Sequence, residues 1–188
     1  MVHVTPLDLP GLLLLEPRRF NDARGYFSET YRAEWLAAAG FRGDFVQDNM
    51  SASANRGTVR GFHFQTPPAA HDKLIRVTRG GILDAVVDLR RGSPAYGRSF
   101  AAELTAENGR QLLIPKGFGH ALCTLEDDTH VAYKLTGYYA PKAEGGLLWS
   151  DPALGIKWPV GVEEAIVSEK DLVLPRLADF DSPFEFEG

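Results

Sequence analysis

Short apolar runs, cut by glycine, proline and polar turns, dominate the middle of the chain. Lys73-Leu-Ile-Arg-Val-Thr-Arg79 alternates apolar and polar residues, the period of a half-buried strand, and stops at Gly80-Gly81, a pair that suits a hairpin. Ile82 to Leu89 follows, then the turn around Gly92-Ser-Pro94. Ser99 to Leu104, Gln111 to Ile114, Ala121 to Leu125 and His130 to Gly137 read as further strands. Only Tyr31 to Ala39 carries a helical pattern, and Gly40 stops it. Strands at such short spacing with little helix predict an all-β barrel or sandwich. The tail after Trp158-Pro159 has fewer apolar runs and is expected to wrap the barrel or pack on a partner subunit. No stretch has linker composition, so residues 1–188 read as one domain.

Composition narrows the classes. With 44% hydrophobic and 24% charged residues, the chain has the makeup of an ordinary globular protein. Its formal net charge of -5 argues against nonspecific nucleic-acid binding, which needs a basic surface. An anionic small ligand stays possible, because a few local Arg and Lys residues suffice for a pyrophosphate. The single cysteine, Cys123, rules out an intrachain disulfide, and its apolar neighbours point to a buried, inert thiol. Met1 to Pro6 lacks the charged start and apolar stretch of an export signal, and Leu12 to Leu15 is far too short to span a membrane. The expectation is a soluble, cytoplasmic protein with no membrane partner.

The stretch from Gln47 to Gln65 carries the chemistry. It sets amides, hydroxyls, Arg60 and His63 in an otherwise apolar chain, and a strand that only filled a core would have no use for them. Alternation puts His63 and Gln65 on one face with Gly61, and Phe62 and Phe64 on the other. If the phenylalanines pack against an outer layer, His63 points into the barrel. The same alternation points Arg60 away from His63. Phe64-Gln65 follows His63, so the His-x-His pair of metal-dependent barrels is missing, and His71 and His130 are not at motif spacing. The reading is a histidine acting on protons and no metal; a hydrogen-bonded core histidine is the plainer alternative.

Other segments leave alternatives open when taken alone. Asp22 and Gly25 suit a turn, after which Phe27 and Glu29 would share one strand face; Arg24 suits a phosphate and Phe27 a base, but a turn salt bridge and a core Phe explain them as simply. Lys73 is either an oxyanion partner or an exposed strand end. Asp84 and Asp88 share one strand face, where a carboxylate must be paired or solvated: a supporting partner or a strand-edge salt bridge. Pro115-Lys-Gly-Phe-Gly-His120 delivers His120 to a strand start as ligand, phosphate donor or turn residue. Tyr133 shares a face with Val131 and Leu135, as a core tyrosine or as a proton donor opposite a histidine base. Ser168 to Asp171 reads as a solvated turn.

Together the segments resemble the dTDP-4-dehydrorhamnose 3,5-epimerase family, from about Asp22 to Pro175. The pieces are Asp-x-Arg-Gly-x-Phe-x-Glu (22–29), Gln-Asp-Asn-x-Ser (47–51), Arg-Gly-x-His-x-Gln (60–65), Lys73, Val87-Asp-Leu-Arg90 with Gly92-Ser93, Pro-x-Gly-x-x-His (115–120), Tyr133, Tyr139-x-Pro141, Glu144, Trp158-Pro159 and Ser-x-Lys-Asp (168–171). The resemblance implies a dimeric cupin-like (jelly-roll) β-barrel acting on dTDP-4-dehydro-6-deoxy-D-glucose, whose C4 ketone acidifies C3 and C5. It implies His63 as base, Asp171 as its paired carboxylate, Lys73 beside the enolate oxygen and Tyr133 as the acid on the opposite face. Arg60 and His120 correspond to substrate and phosphate contacts; Arg24, Phe27, Glu29, Gln47, Asn49, Tyr139, Glu144 and Lys170 correspond to nucleotide-sugar contacts. The ketone already serves as electron sink, so no cofactor is implied. Met50, Phe62 and Phe64 depart from the family pattern and bear on substrate fit. Relatives that epimerise only C3 or only C5 are the alternative; a metal-dependent cupin and a non-catalytic nucleotide-sugar-binding barrel are remoter ones. A dimer of this kind would swap strands if Leu12 to Leu15 paired with a neighbour's sheet edge.

Overall fold

The structure, a computed structural model, describes residues 2–187. In chain order the strands are β1 (Val2–Pro6), β2 (Leu13–Pro17), β3 (Phe20–Asp22), β4 (Gly25–Phe27), β5 (Gln47–Ser53), β6 (Val59–Gln65), β7 (Lys73–Arg79), β8 (Gly81–Asp88), β9 (Ser99–Thr105), β10 (Gln111–Ile114), β11 (Phe118–Thr124), β12 (Thr129–Leu135) and β13 (Glu144–Gly146). Two short helices, α1 (Ala33–Ala38) and α2 (Glu169–Leu172), and three single 3-10 turns complete the set. One antiparallel sheet runs β1-β2-β10-β7-β12-β5 and a second runs β13-β6-β11-β8-β9, with β3-β4 as a separate hairpin.

The two sheets face each other across a shared core. Ile75, Val77, Leu112, Ile114 and Val131 of the first meet Ile82, Val86, Leu104, Phe118 and Leu122 of the second. Each sheet is also covered outside. Leu13, Leu15, Leu74 and Leu113 pack under Leu36 of α1 and under Tyr31, Phe41 and Phe45. Phe62, Phe64, Ala85, Val87 and Ala121 pack under Leu147, Leu154 and Phe184, with Trp158, Leu177 and Phe180 beside them. Coverage on both faces explains why β10 and β11 are buried at every position and read as apolar runs without clean alternation. The result is a jelly-roll sandwich, the flattened form of the cupin-like barrel expected. The tail after Trp158 does wrap it, and Phe62 and Phe64 face outward into that wrapping as alternation requires.

Several expectations are corrected by pairing that a local pattern does not contain. Gly80-Gly81 is not a hairpin: β7 pairs with β10 and β12, β8 with β9 and β11, so the glycines carry the chain from one sheet to the other. Gly80 does this at φ +72°, a backbone region that a β-carbon disfavours. β4 ends at Phe27, so Glu29 shares no strand face with it. β11 starts at Phe118, which places His120 inside the strand. Asp84 and Asp88 sit on β8, an interior strand, and both are fully buried; Asp84 pairs with His120 of the neighbouring strand and not with a cation at the sheet edge, whereas Asp88 makes a salt bridge to Arg90 at 2.7 Å. β2 lies between β1 and β10 of its own chain, leaving Leu13 to Leu15 no free edge to lend a neighbour. Cys123 is fully buried, and burial pushes its thiol up to about 11.

Candidate active site

The site is built around an irregularity in β6. His63 pairs with His120 of β11, but the next partners are Arg60 with Leu122, so three steps along β6 match two along β11. This is a β-bulge, and the extra residue cancels one alternation. Arg60 and His63 therefore line the same cavity, against the expectation that Arg60 turns away. Gly61 occupies the bulge at φ +111°, and a β-carbon there would collide with the His120 carbonyl oxygen.

The bulge also organises the His63 pair. His63 Nε2–H donates to Asp171 Oδ1 at 2.7 Å, and the Gly61 amide donates to Asp171 Oδ2 at 3.3 Å. Asp171 stands in α2 and is only 2% exposed, so Ser168 to Asp171 is not the solvated turn that its polar residues suggest. A carboxylate can only accept here, which fixes the proton on Nε2 and leaves Nδ1 as the basic nitrogen. Burial lowers the His63 imidazole below its ordinary range, outweighing the upward pull of Asp171. The ring is accordingly neutral near pH 7.

Facing groups come from the other sheet. Lys73 opens β7 and donates through Nζ to the His63 carbonyl at 3.1 Å; its ammonium is not an exposed strand end, since burial pulls it down to about 8 against an opposing pull from Asp84. Tyr133 of β12 meets Ser51 Oγ through its hydroxyl at 3.2 Å. Burial raises the Tyr133 phenol above its ordinary value, with Ser51 working the other way, so the phenol keeps its proton at neutral pH. His120 is buried, donates from Nε2 to Asp84 Oδ1 at 2.7 Å, and sets its ring edge-on to Tyr133 at 6.2 Å between centroids. These side chains line a cavity of about 590 Å³.

The mouth is polar. Glu144 Oε1 accepts from Lys170 Nζ at 2.7 Å, and Glu144 Oε2 accepts from the Tyr139 hydroxyl at 3.2 Å. The Lys170 bond, chiefly, holds the Glu144 carboxyl below its ordinary value. Gln47 accepts from the Tyr139 amide at 3.2 Å and donates to Asn49 at 2.9 Å, so it supports two lining residues from behind. Arg60 donates from Nε to Ser53 Oγ at 3.2 Å.

Three expected residues do not join this cluster. Arg24, with its side chain 89% exposed, bonds Asp22; Phe27 is 72% exposed; Glu29 bonds Arg32. Phe27 and Glu29 line a separate pocket beside Trp35. Ser51 is a lining residue that single-residue reasoning missed, although it ends the Gln-Asp-Asn-x-Ser segment; only the pairing of β5 with β12 brings it to Tyr133. Among the described residues, no three His, Cys, Asp or Glu side chains gather as a metal site requires.

A family model described as dTDP-4-dehydrorhamnose 3,5-epimerase matches residues 6–179. The chain belongs to the dTDP-4-dehydrorhamnose 3,5-epimerase family. A curated dTDP-4-dehydrorhamnose 3,5-epimerase from Sinorhizobium fredii is 46% identical over 185 residues, covering 98% of this chain and 94% of that one. The crystal structure of the dTDP-4-dehydrorhamnose 3,5-epimerase from Bacillus anthracis, with TDP and PPi bound, is 46% identical, with TM-score 0.90 over 94% of this chain and all of that one. The dTDP-6-deoxy-D-glucose-3,5-epimerase from Legionella pneumophila, in complex with dTDP-4-keto-L-rhamnose, is 35% identical, with TM-score 0.93 over the full length of both chains. The matched residues thus include every cavity-lining residue and all strands from β2 to β13.

Proposed function

We propose that this chain epimerises dTDP-4-dehydro-6-deoxy-D-glucose at C3 and C5, giving dTDP-4-dehydro-L-rhamnose, with His63 as base and Tyr133 as acid. One observation carries the assignment of roles: a neutral, carboxylate-paired imidazole and a protonated phenol project from opposing sheets into one cavity. His63 Nδ1 takes the proton from a carbon next to the C4 ketone. The C–H electron pair becomes a C=C bond, and the carbonyl π pair moves to oxygen as an enolate. The Lys73 ammonium neutralises that charge where solvent cannot screen it. The Tyr133 hydroxyl then protonates the carbon from the other face, which inverts it, and solvent exchange returns a proton to the tyrosinate while removing one from His63. A positioned acid or base contributes roughly 10²–10⁴-fold each, so enolate stabilisation and the binding energy of the distant nucleotide supply the rest.

The polar mouth suits the nucleotide. Arg60 and Lys170 offer donors for the diphosphate, and Tyr139 a face for the base, with Glu144 and Gln47 fixing their positions. Arg24, Phe27 and Glu29 fit this scheme only if they serve another molecule's cavity. We therefore take the working form to be a homodimer in which each exposed β3–β4 hairpin completes its neighbour's site. The whole chain acts as one catalytic domain in the cytoplasm; no helix among the described residues is long and apolar enough to cross a membrane.

The deciding experiment is incubation with dTDP-4-dehydro-6-deoxy-D-glucose in D₂O, following deuterium at C3 and C5 by NMR. Label at both carbons with L-rhamno product establishes the double epimerase. Label at one carbon assigns a mono-epimerase, and label at neither overturns the reading.

A further inference from the structure

Behind the cavity wall stands a second His–Asp pair that the proton transfers do not use. Asp84 is fully buried on β8, and its Oδ1 accepts from His120 Nε2 at 2.7 Å. Its Oδ2 is buried without a hydrogen-bond partner. Leaving a carboxylate oxygen unpaired inside a core is costly, so a residue held this way needs a compensating interaction. Nothing in packing asks for a carboxylate here: Ile82 and Val86, two positions either side on the same face, are ordinary core residues.

The groups around Asp84 show where its charge acts. His120 meets it from β11, and the field of the carboxylate reaches Lys73 on β7 and Tyr133 on β12. Of these, Lys73 is the fixed cation, and it spends its hydrogen bond on the His63 carbonyl and makes no carboxylate contact. Its charge thus has no direct counter-ion, while Asp84 has a free oxygen in the same low-dielectric interior. His63 thus rests on Asp171 and His120 on Asp84 through hydrogen bonds, while the Asp84 charge acts on Lys73 without contact, favouring its ammonium.

Building on the enolate chemistry above, we propose that Asp84 is a positioning residue, anchoring the His120 ring through one oxygen and keeping Lys73 an ammonium through the charge on the other. Without that charge Lys73 sheds its proton at lower pH and meets the forming enolate as a neutral amine. The carboxylate never touches substrate; it sets the state of the group that does.

Asp84→Asn tests this, because the amide keeps the shape and an acceptor for His120 but removes the charge. With Lys73 titrating at about 8, the alkaline limb of the rate profile moves acidward by about one pH unit, and the rate at pH 8 falls roughly five-fold, with KM held. A lowered rate with the limb unmoved overturns the proposal, since a purely structural role predicts that. The wild-type protein gives an independent reading should the variant not fold. In ¹³C-aspartate- and ¹³C-lysine-labelled protein, the Asp84 carboxyl signal carries an inflection at the Lys73 midpoint; an Asp84 signal flat through that range overturns it. The NMR titration needs no substrate, so failure of deuterium exchange in wild-type protein counts against the epimerase reading and leaves this one to be decided by the two signals.

Discussion

His63 and His120 are direct cross-strand partners, yet each donates to a carboxylate from a different part of the fold. Asp171 arrives from α2 outside the sheets, and Asp84 from the neighbouring strand β8. Two chemically alike pairs thus stand side by side with unlike access. The side chain of His63 is 31% exposed to the cavity and that of His120 only 5%. On the proposed roles, exposure separates a base that must meet carbon from a ring that only needs to hold still.

Asp171→Asn removes a charge that raises the His63 imidazole and frees the amide to favour the wrong tautomer. The neutral ring is the active form, so its acid limb lies at the His63 titration. Losing Asp171 moves that limb to lower pH, and deuterium exchange at neutral pH drops on the order of 10²–10⁴-fold. A pH profile of exchange checks both.

Tyr133→Phe leaves His63 and Lys73 in place, so abstraction and return to the same face continue. The variant washes deuterium into the sugar faster than it inverts it. Parallel NMR of isotope content and product configuration reads the two rates; equal losses would assign Tyr133 a positioning role only.

Gly61→Ala forces a β-carbon into φ +111° and against the His120 carbonyl. The strain is worth on the order of 1–3 kcal/mol, before the clash is counted. Urea unfolding is expected to show at least that loss. Any folded fraction has a displaced Asp171, because the Gly61 amide is one of its two anchors.

If the β3–β4 hairpin completes a neighbouring site, Arg24→Ala and His63→Asn complement each other. Each alone is weak or inactive. Mixed in equal amounts and allowed to re-pair, half of the dimers are hybrid and each holds one intact site, so about a quarter of wild-type activity returns. No recovery after verified exchange of subunits argues for sites made within one chain.

What could be read along the chain was what depends on near neighbours. β7 and β10 were legible to the residue because an apolar pattern ends at a break on each side. The outward turn of Phe62 and Phe64 followed from period two alone. Arg60 was misplaced because a bulge adds one residue, and only the facing strand reveals it. Gly80-Gly81 looked like a hairpin because glycine pairs serve tight turns and sheet crossings equally well. Asp171 was invisible to local reading: Ser-Glu-Lys-Asp is short and wholly polar, and its burial depends on a contact with His63, 108 residues away. Its role entered through family likeness and not through its neighbours.

The unequal reach of the two pairs has a consequence for synthesis. Asp84 precedes His120 by 36 residues, so that pair is available as soon as β11 emerges. Asp171 follows His63 by 108 residues. A growing polypeptide thus holds the strands of both sheets, and both members of the His120 pair, before His63 acquires its partner. On the proposed chemistry, a half-made chain turns over slowly at best, because its His63 imidazole still lacks the carboxylate that sets its tautomer.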